Sequence, residues 1–72
     1  MQLLPMDAPA ELHRWAPRAG DVLVASGPLI IMAHGLLAIP PADRRACWIT
    51  TASGDLSADD AEEALRAWSK RH

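Results

Sequence analysis

From Pro28 to Ile39 the chain reads PLIIMAHGLLAI, and His34 is the only side chain in that run that can ionise. No other stretch carries enough apolar surface to nucleate a core, so any fold the chain adopts must bury this one. Its secondary structure is open on the sequence alone. The adjacent Ile30 and Ile31, and Gly35 in mid-run, favour β structure. Branched Cβ atoms lose rotamer freedom in a helix, and glycine weakens one. On that reading Leu29–Ala33 is a strand, Gly35 a bulge or turn, and Leu36–Ile39 a further strand. A helix starting at Pro28 is the rival, because the run is long enough for one.

A chain of 72 residues makes one small domain, 1–72. At that size folding buries only about 60% of the surface that the unfolded chain exposes, so the stability margin is thin. Cys47 is the only cysteine, so no internal disulfide helps, and a lone thiol fits a reducing compartment. An apolar fraction of 50% with 22% charged residues points to a globular chain rather than a disordered one. Met1–Met6 has neither the basic segment nor the apolar run of a signal peptide. The longest apolar run falls short of the roughly 20 residues of a membrane span. The expectation is a cytoplasmic protein without a membrane partner. A net charge of −2 supplies no general attraction to nucleic acid, and direct nucleic-acid binding is not expected.

Around the central run, Asp7 reads as a helix N-cap and Pro9 as a first-turn residue. Ala8, Leu12 and Trp15 or Ala16 then form a narrow apolar stripe, which Pro17 ends. Arg18–Asp21 is a turn into a strand at Val22–Ala25, and Ser26-Gly27-Pro28 a tight reversal. Pro40–Arg45 reads as an exposed loop and Cys47–Thr51 as a strand, punctuated by Ser53-Gly54-Asp55. The last element has the strongest signals. Ser57 is an N-cap with Asp60 three residues on, and Leu56 precedes it as a staple towards Ala61. Asp59, Asp60, Glu62 and Glu63 complement the positive end of the helix dipole, and Arg66, Lys70 and Arg71 the negative end. Glu62 and Arg66 pair at i,i+4, and Ala61, Ala64, Leu65 and Trp68 make the buried stripe of a helix over Ala58–Lys70. The expected fold is α+β, a small antiparallel sheet of about three strands with a short N-terminal helix and a longer C-terminal helix.

Several groups are candidates for function. As a strand, Leu29–Ala33 would be apolar on both faces; either the helices cover both, or one face meets a second copy or a partner. Trp15, Trp48 and Trp68 are the only aromatics and are expected to meet in one core; any that stays exposed becomes a binding hot spot. Asp55, Asp59, Asp60, Glu62 and Glu63 crowd into nine residues. They read either as dipole complements on a solvated helix face or as an acidic patch that docks on a basic surface. They lack the alternating oxygen ligands and central glycine of a calcium loop. Arg14, Arg18, Arg44, Arg45, Lys70 and Arg71 could form a phosphate-binding face or simply confer solubility. For catalysis little is on offer: His13, His34, His72 and Cys47 lack metal-ligand spacing, and a Cys47–His34 nucleophile and base would require the two to be cross-strand neighbours.

Two resemblances bear on these readings. Arg18-Ala-Gly-Asp-Val-Leu-Val followed by Ala33-His34-Gly35-Leu-Leu resembles the Gly-Asp-strand and His-Gly-strand segments of NlpC/P60-type cysteine peptidases. That family carries its nucleophilic Cys on a helix upstream of these strands, where this chain has none. In size, cytosolic character and acidic helix the chain resembles phage-encoded inhibitors of host defence, the anti-CRISPR proteins. That resemblance implies a non-enzymatic binding module without cofactor or metal. Its partner would be a protein or ribonucleoprotein with a basic surface, met by Asp55, Asp59, Asp60, Glu62 and Glu63. A homodimeric accessory domain using the apolar strand face is the alternative, and a Cys-dependent hydrolase the remote one.

Overall fold

Ala10 and Leu12 alternate with Glu11 and His13, and this period of two, rather than a helical stripe, governs the start of the chain. A computed structural model describes residues 5–71. In it Pro9–Ala16 is a strand, β1, where a short helix was expected. Asp7, read as a helix cap, instead lies in a turn closed by the Ala8 N–H on the Pro5 carbonyl at 3.0 Å. β1 returns as β2, Gly20–Pro28, through a turn in which the Ala19 N–H donates to the Ala16 carbonyl at 3.2 Å. Pro17 presets the turn, and Gly20, at φ +73°, takes the left-handed position that follows it. Ser26-Gly27-Pro28 is not a reversal: the β1–β2 ladder runs on to Pro9 opposite Pro28.

The central run is a helix, α1, Leu29–Ala38, so the strands expected at Leu29–Ala33 and Leu36–Ile39, and the bulge at Gly35, are corrected. Leu29, Met32, Ala33 and Leu36 are its buried residues, at i, i+3, i+4 and i+7. α1 has no N-terminal side-chain cap of its own, and at its C-terminus the Ile39 N–H closes locally on the Leu36 carbonyl at 3.1 Å. Pro28 at the N-cap makes no side-chain bond; the Leu29 and Ile30 N–H groups donate to the Ala8 and Met6 carbonyls, each at 2.8 Å. At the other end the Arg44 guanidinium donates to the Leu37 carbonyl at 2.7 Å and, through two nitrogens, to that of Ile39. Arg44 closes a single helical turn, α2, Pro41–Arg44, inside what was expected to be plain loop.

β3, Cys47–Thr51, has the bounds expected of it, and a short β4, Gly54–Leu56, folds back on it. The sheet is antiparallel throughout, with four strands in the order β2-β1-β3-β4. The final helix, α3, spans Ala58–Arg71. Its capping box forms: the Asp60 N–H donates to Ser57 Oγ at 3.2 Å, and the Ser57 N–H to Asp60 Oδ2 at 3.1 Å. Glu62 and Arg66 pair at 2.6 Å.

Both long helices pack on one face of the sheet. Leu29, Leu36 and Ile49 are the largest fully buried side chains, joined by Met6, Ala10, Leu12, Met32, Ala33, Cys47, Ala61 and Leu65. The tryptophans do not share this core. Trp68 packs against it from α3, whereas Trp15 and Trp48 stand on strands, at positions that alternate with the buried ones. Among the described residues no helix is long and apolar enough to cross a membrane.

Two substitutions on α1 have opposite expected outcomes. A Cβ at Gly35 would sit 3.8 Å from Leu12 Cδ2, ordinary van der Waals contact. Gly35→Ala should therefore raise stability by about 0.5–1 kcal/mol through helix propensity. Leu36→Ala should remove about 2–5 kcal/mol, a large part of the margin of a domain this small. Urea denaturation of the two variants beside the parent chain checks both.

Candidate functional site: the open face of the sheet

Strand alternation gives the sheet two unlike faces. Ala10, Leu12, Cys47 and Ile49 point under the helices; Glu11, His13, Trp15, Trp48 and Thr50 point away from them. The pairings bring Leu23 beside His13, Asp21 beside Trp15, Ser26 beside Glu11 and Asp55 beside Thr50 on the same uncovered side. This face presents two indoles and a leucine among Glu11, Asp21 and Asp55. Among the described residues no Lys or Arg occupies any of its strand positions.

A β-bulge makes the arrangement possible. Along β1 the partner of Leu12 is Ala25, and the partner of the next residue, His13, is Leu23. Val24 is the unmatched residue. In a regular strand Asp21, Leu23 and Ala25 would share one face. With the extra residue, Ala25 turns inward beneath the helices while Leu23 and Asp21 turn to the open side.

His13 is the centre of the face. Its Nδ1 lies 2.6 Å from Asp21 Oδ1 and its Nε2 lies 3.2 Å from Glu11 Oε1. The ring stacks on Trp48, centroids 5.5 Å apart and planes within 9°. The imidazole side chain is 13% exposed, while Glu11 and Asp21 are 51% and 56% exposed. The hydrogen bond that His13 donates to Asp21 is the main cause that raises the His13 pKa above its ordinary 6.5; burial opposes it, and Glu11 adds to the rise. Trp15 is 57% exposed, its ring lying along Gly20.

The acidic residues of the C-terminal helix have separate local tasks. Asp60 completes the cap, Glu62 binds Arg66, and Asp55, on β4, accepts from Thr50 Oγ1 at 3.0 Å. Asp59 and Glu63 are exposed on α3, with no hydrogen-bond or ion-pair partner among the described residues. Of the six basic residues, Arg44 is committed to the end of α1. A groove of about 470 Å³ beside it is lined by Arg44 and Arg45 but also by Asp59, so its charge is mixed. His72 lies outside the described residues. Cys47 is buried on β3, its thiol donating to the Asp43 carbonyl at 3.6 Å. His34 is exposed on α1, so the two are not cross-strand neighbours, and the His-Gly segment that resembles the cysteine peptidases is helical. Among the described residues no three His, Cys, Asp or Glu are grouped to hold a metal.

Reading residue by residue missed the Glu11–His13–Asp21 cluster. Glu11 and His13 at i,i+2 was its one visible signal, and it was hidden by assigning that segment to a helix, where i and i+2 do not meet.

Because His13 is easier to protonate in the fold than in the unfolded chain, its proton stabilises the fold. That stabilisation is fully present below about pH 6.5, the unfolded value, and is lost as pH rises through the higher folded value. Thermal unfolding followed from pH 5.5 to 9 should show Tm declining across that window, and His13→Gln should flatten the decline.

No family model, curated protein or solved structure matches the chain, so its function is argued from the chemistry of this face.

Proposed function

We propose that this chain is a small, non-enzymatic binding module that docks its open sheet face on a protein or ribonucleoprotein with a basic surface. One observation carries the reading: exposed Trp15 and Leu23 share with Trp48 a face whose strand positions, among the described residues, hold three carboxylates and no Lys or Arg. Tryptophan amid an acidic rim suits a partner that brings Lys or Arg side chains, which stack on indole and pair with carboxylates at once. A phage-encoded inhibitor of a nucleic-acid-binding, CRISPR-type complex is one protein of this kind; its target would be a groove built for phosphate. Asp59 and Glu63 on α3, without a hydrogen-bond or ion-pair partner among the described residues, are a second acidic element such a partner could meet.

A second reading has its own observation. β2 is an edge strand on which Val22, Leu23 and Val24 are all exposed, and unprotected apolar edges invite pairing with another copy. Sedimentation separates the two: a monomer at high micromolar concentration removes the homodimer.

For the main reading, the informative variants are Trp15→Ala with Leu23→Ser on the sheet, and Asp59→Lys with Glu63→Lys on the helix. None of these residues lies in the core. A partner captured by the parent chain should bind the sheet variant roughly 30-fold more weakly, the loss of one hot-spot residue. Full affinity in the sheet variant together with loss in the helix variant would move the site to α3 and sink the sheet reading.

A further inference from the structure

Glu11, His13 and Asp21 sit where an incoming basic side chain would be received, and the three already contain a cation of their own when His13 is protonated. The geometry is made for that state. Both ring nitrogens face carboxylate oxygens, at 2.6 and 3.2 Å, and the stack on Trp48 holds the ring in that plane. An imidazolium has two N–H donors and satisfies both carboxylates. A neutral imidazole has one donor and one lone pair, so one of the two carboxylates must then face the lone pair. Glu11, at the longer distance, is the carboxylate left without its donor.

We propose that binding to the open face is proton-linked: the His13 imidazolium and a Lys or Arg side chain of the partner compete for the Glu11 and Asp21 carboxylates. The proposal rests on the reading above and adds its control. With His13 charged, the three groups carry a net −1, and the two carboxylates are occupied from within. With His13 neutral they carry −2, and Glu11, left without its donor and with its side chain 51% exposed, is open to a guanidinium or ammonium beside Asp21. Trp15, opposite Asp21 in the register, supplies the adjacent ring on which a guanidinium can lie.

Among the described residues, the strand positions of this face add no competing cation. On this side β1 contributes Glu11 and Trp15, β2 Asp21 and Leu23, β3 Trp48 and Thr50, and β4 Asp55, which is held by Thr50. Among the described residues His13 is the histidine at the strand positions of this face, and histidine is the side chain that ordinarily changes charge near neutrality. Its raised pKa places the change above 6.5.

A hexa-arginine amide peptide, whose charge is constant over the range, is the probe. Its affinity for the full chain is measured calorimetrically at pH 5.5 and pH 8.5 at one ionic strength. Binding should tighten by about fivefold at the higher pH, the scale of one exposed ion pair. The NMR titration of His13 should move to lower pH when the peptide saturates the protein. His13→Gln, which keeps a donor but cannot titrate, should bind equally at both pH values. Equal affinity of the parent chain at the two pH values, with His13 titrating at the same pH with and without peptide, overturns the competition and leaves the docking face standing. Failure of the peptide to bind at either pH overturns the docking face itself, and the proton linkage with it.

Discussion

The fold depends on how the ends of α1 are satisfied. Ten apolar-rich residues with glycine inside and no polar cap make a poor helix in isolation. They are helical here because other parts of the chain complete their hydrogen bonds. The Met6 and Ala8 carbonyls accept from its first turn, and Arg44 donates to the carbonyls at its end. An unpaired backbone group buried beside a core costs on the order of 1–3 kcal/mol, a sizeable part of the margin of a chain this size. The segment before β1 and the turn after α1 are therefore structural parts of the helix, although each is separate from it in sequence. Once α1 is held, Leu29, Met32, Ala33 and Leu36 give β1, β3 and α3 a common surface to close on.

Two helices suffice for one face of a four-stranded sheet and no more. Even on that side cover stops short of the hairpin tip, where Arg14 and Val22 point to the helical layer yet remain exposed. On the other face, Trp48 stacks on the His13 ring, and the Trp15 ring lies along Gly20 of its own hairpin. The chain thus places two of its three aromatics where they add little to the core. A contribution to stability alone would have been greater inside, since aromatic rings are the largest apolar groups available. Their position, together with the carboxylates around them, is what turns an uncovered sheet into a surface with chemical preferences.

Local chemistry predicted what local chemistry controls. The last helix was legible from Ser57 to Trp68 because cap, dipole, ion pair and apolar stripe all lie within it and agree. β3 was legible from its branched and aromatic residues. α1 was not, for two reasons: its caps come from outside, and its apolar side chains surround the axis. Ile30 and Ile31, half-buried and exposed, concealed the i, i+3, i+4, i+7 set that the core uses. β1 was misread because Asp7, Pro9 and Pro17, which bracket a strand here, also bracket a short helix elsewhere. With that segment misassigned, His13 could not be seen beside Asp21, and Trp15 was counted towards the core. The open face follows from pairing across strands, which composition and spacing do not encode.

β2 contains one residue more than its ladder with β1 consumes, and Val24 is the surplus. Its length is therefore not critical in the way that strand length usually is. Loss of any one residue between Val22 and Val24 would convert the bulge into a regular ladder, with Ala25 still opposite Leu12 and Asp21 still opposite Trp15. A deletion in β1 has no such slack, because each of its residues from Ala10 to Arg14 is matched on both sides. The hairpin is thus tolerant on its outer strand and strict on its inner one, and sequence drift that changes length has one place where it leaves both faces intact.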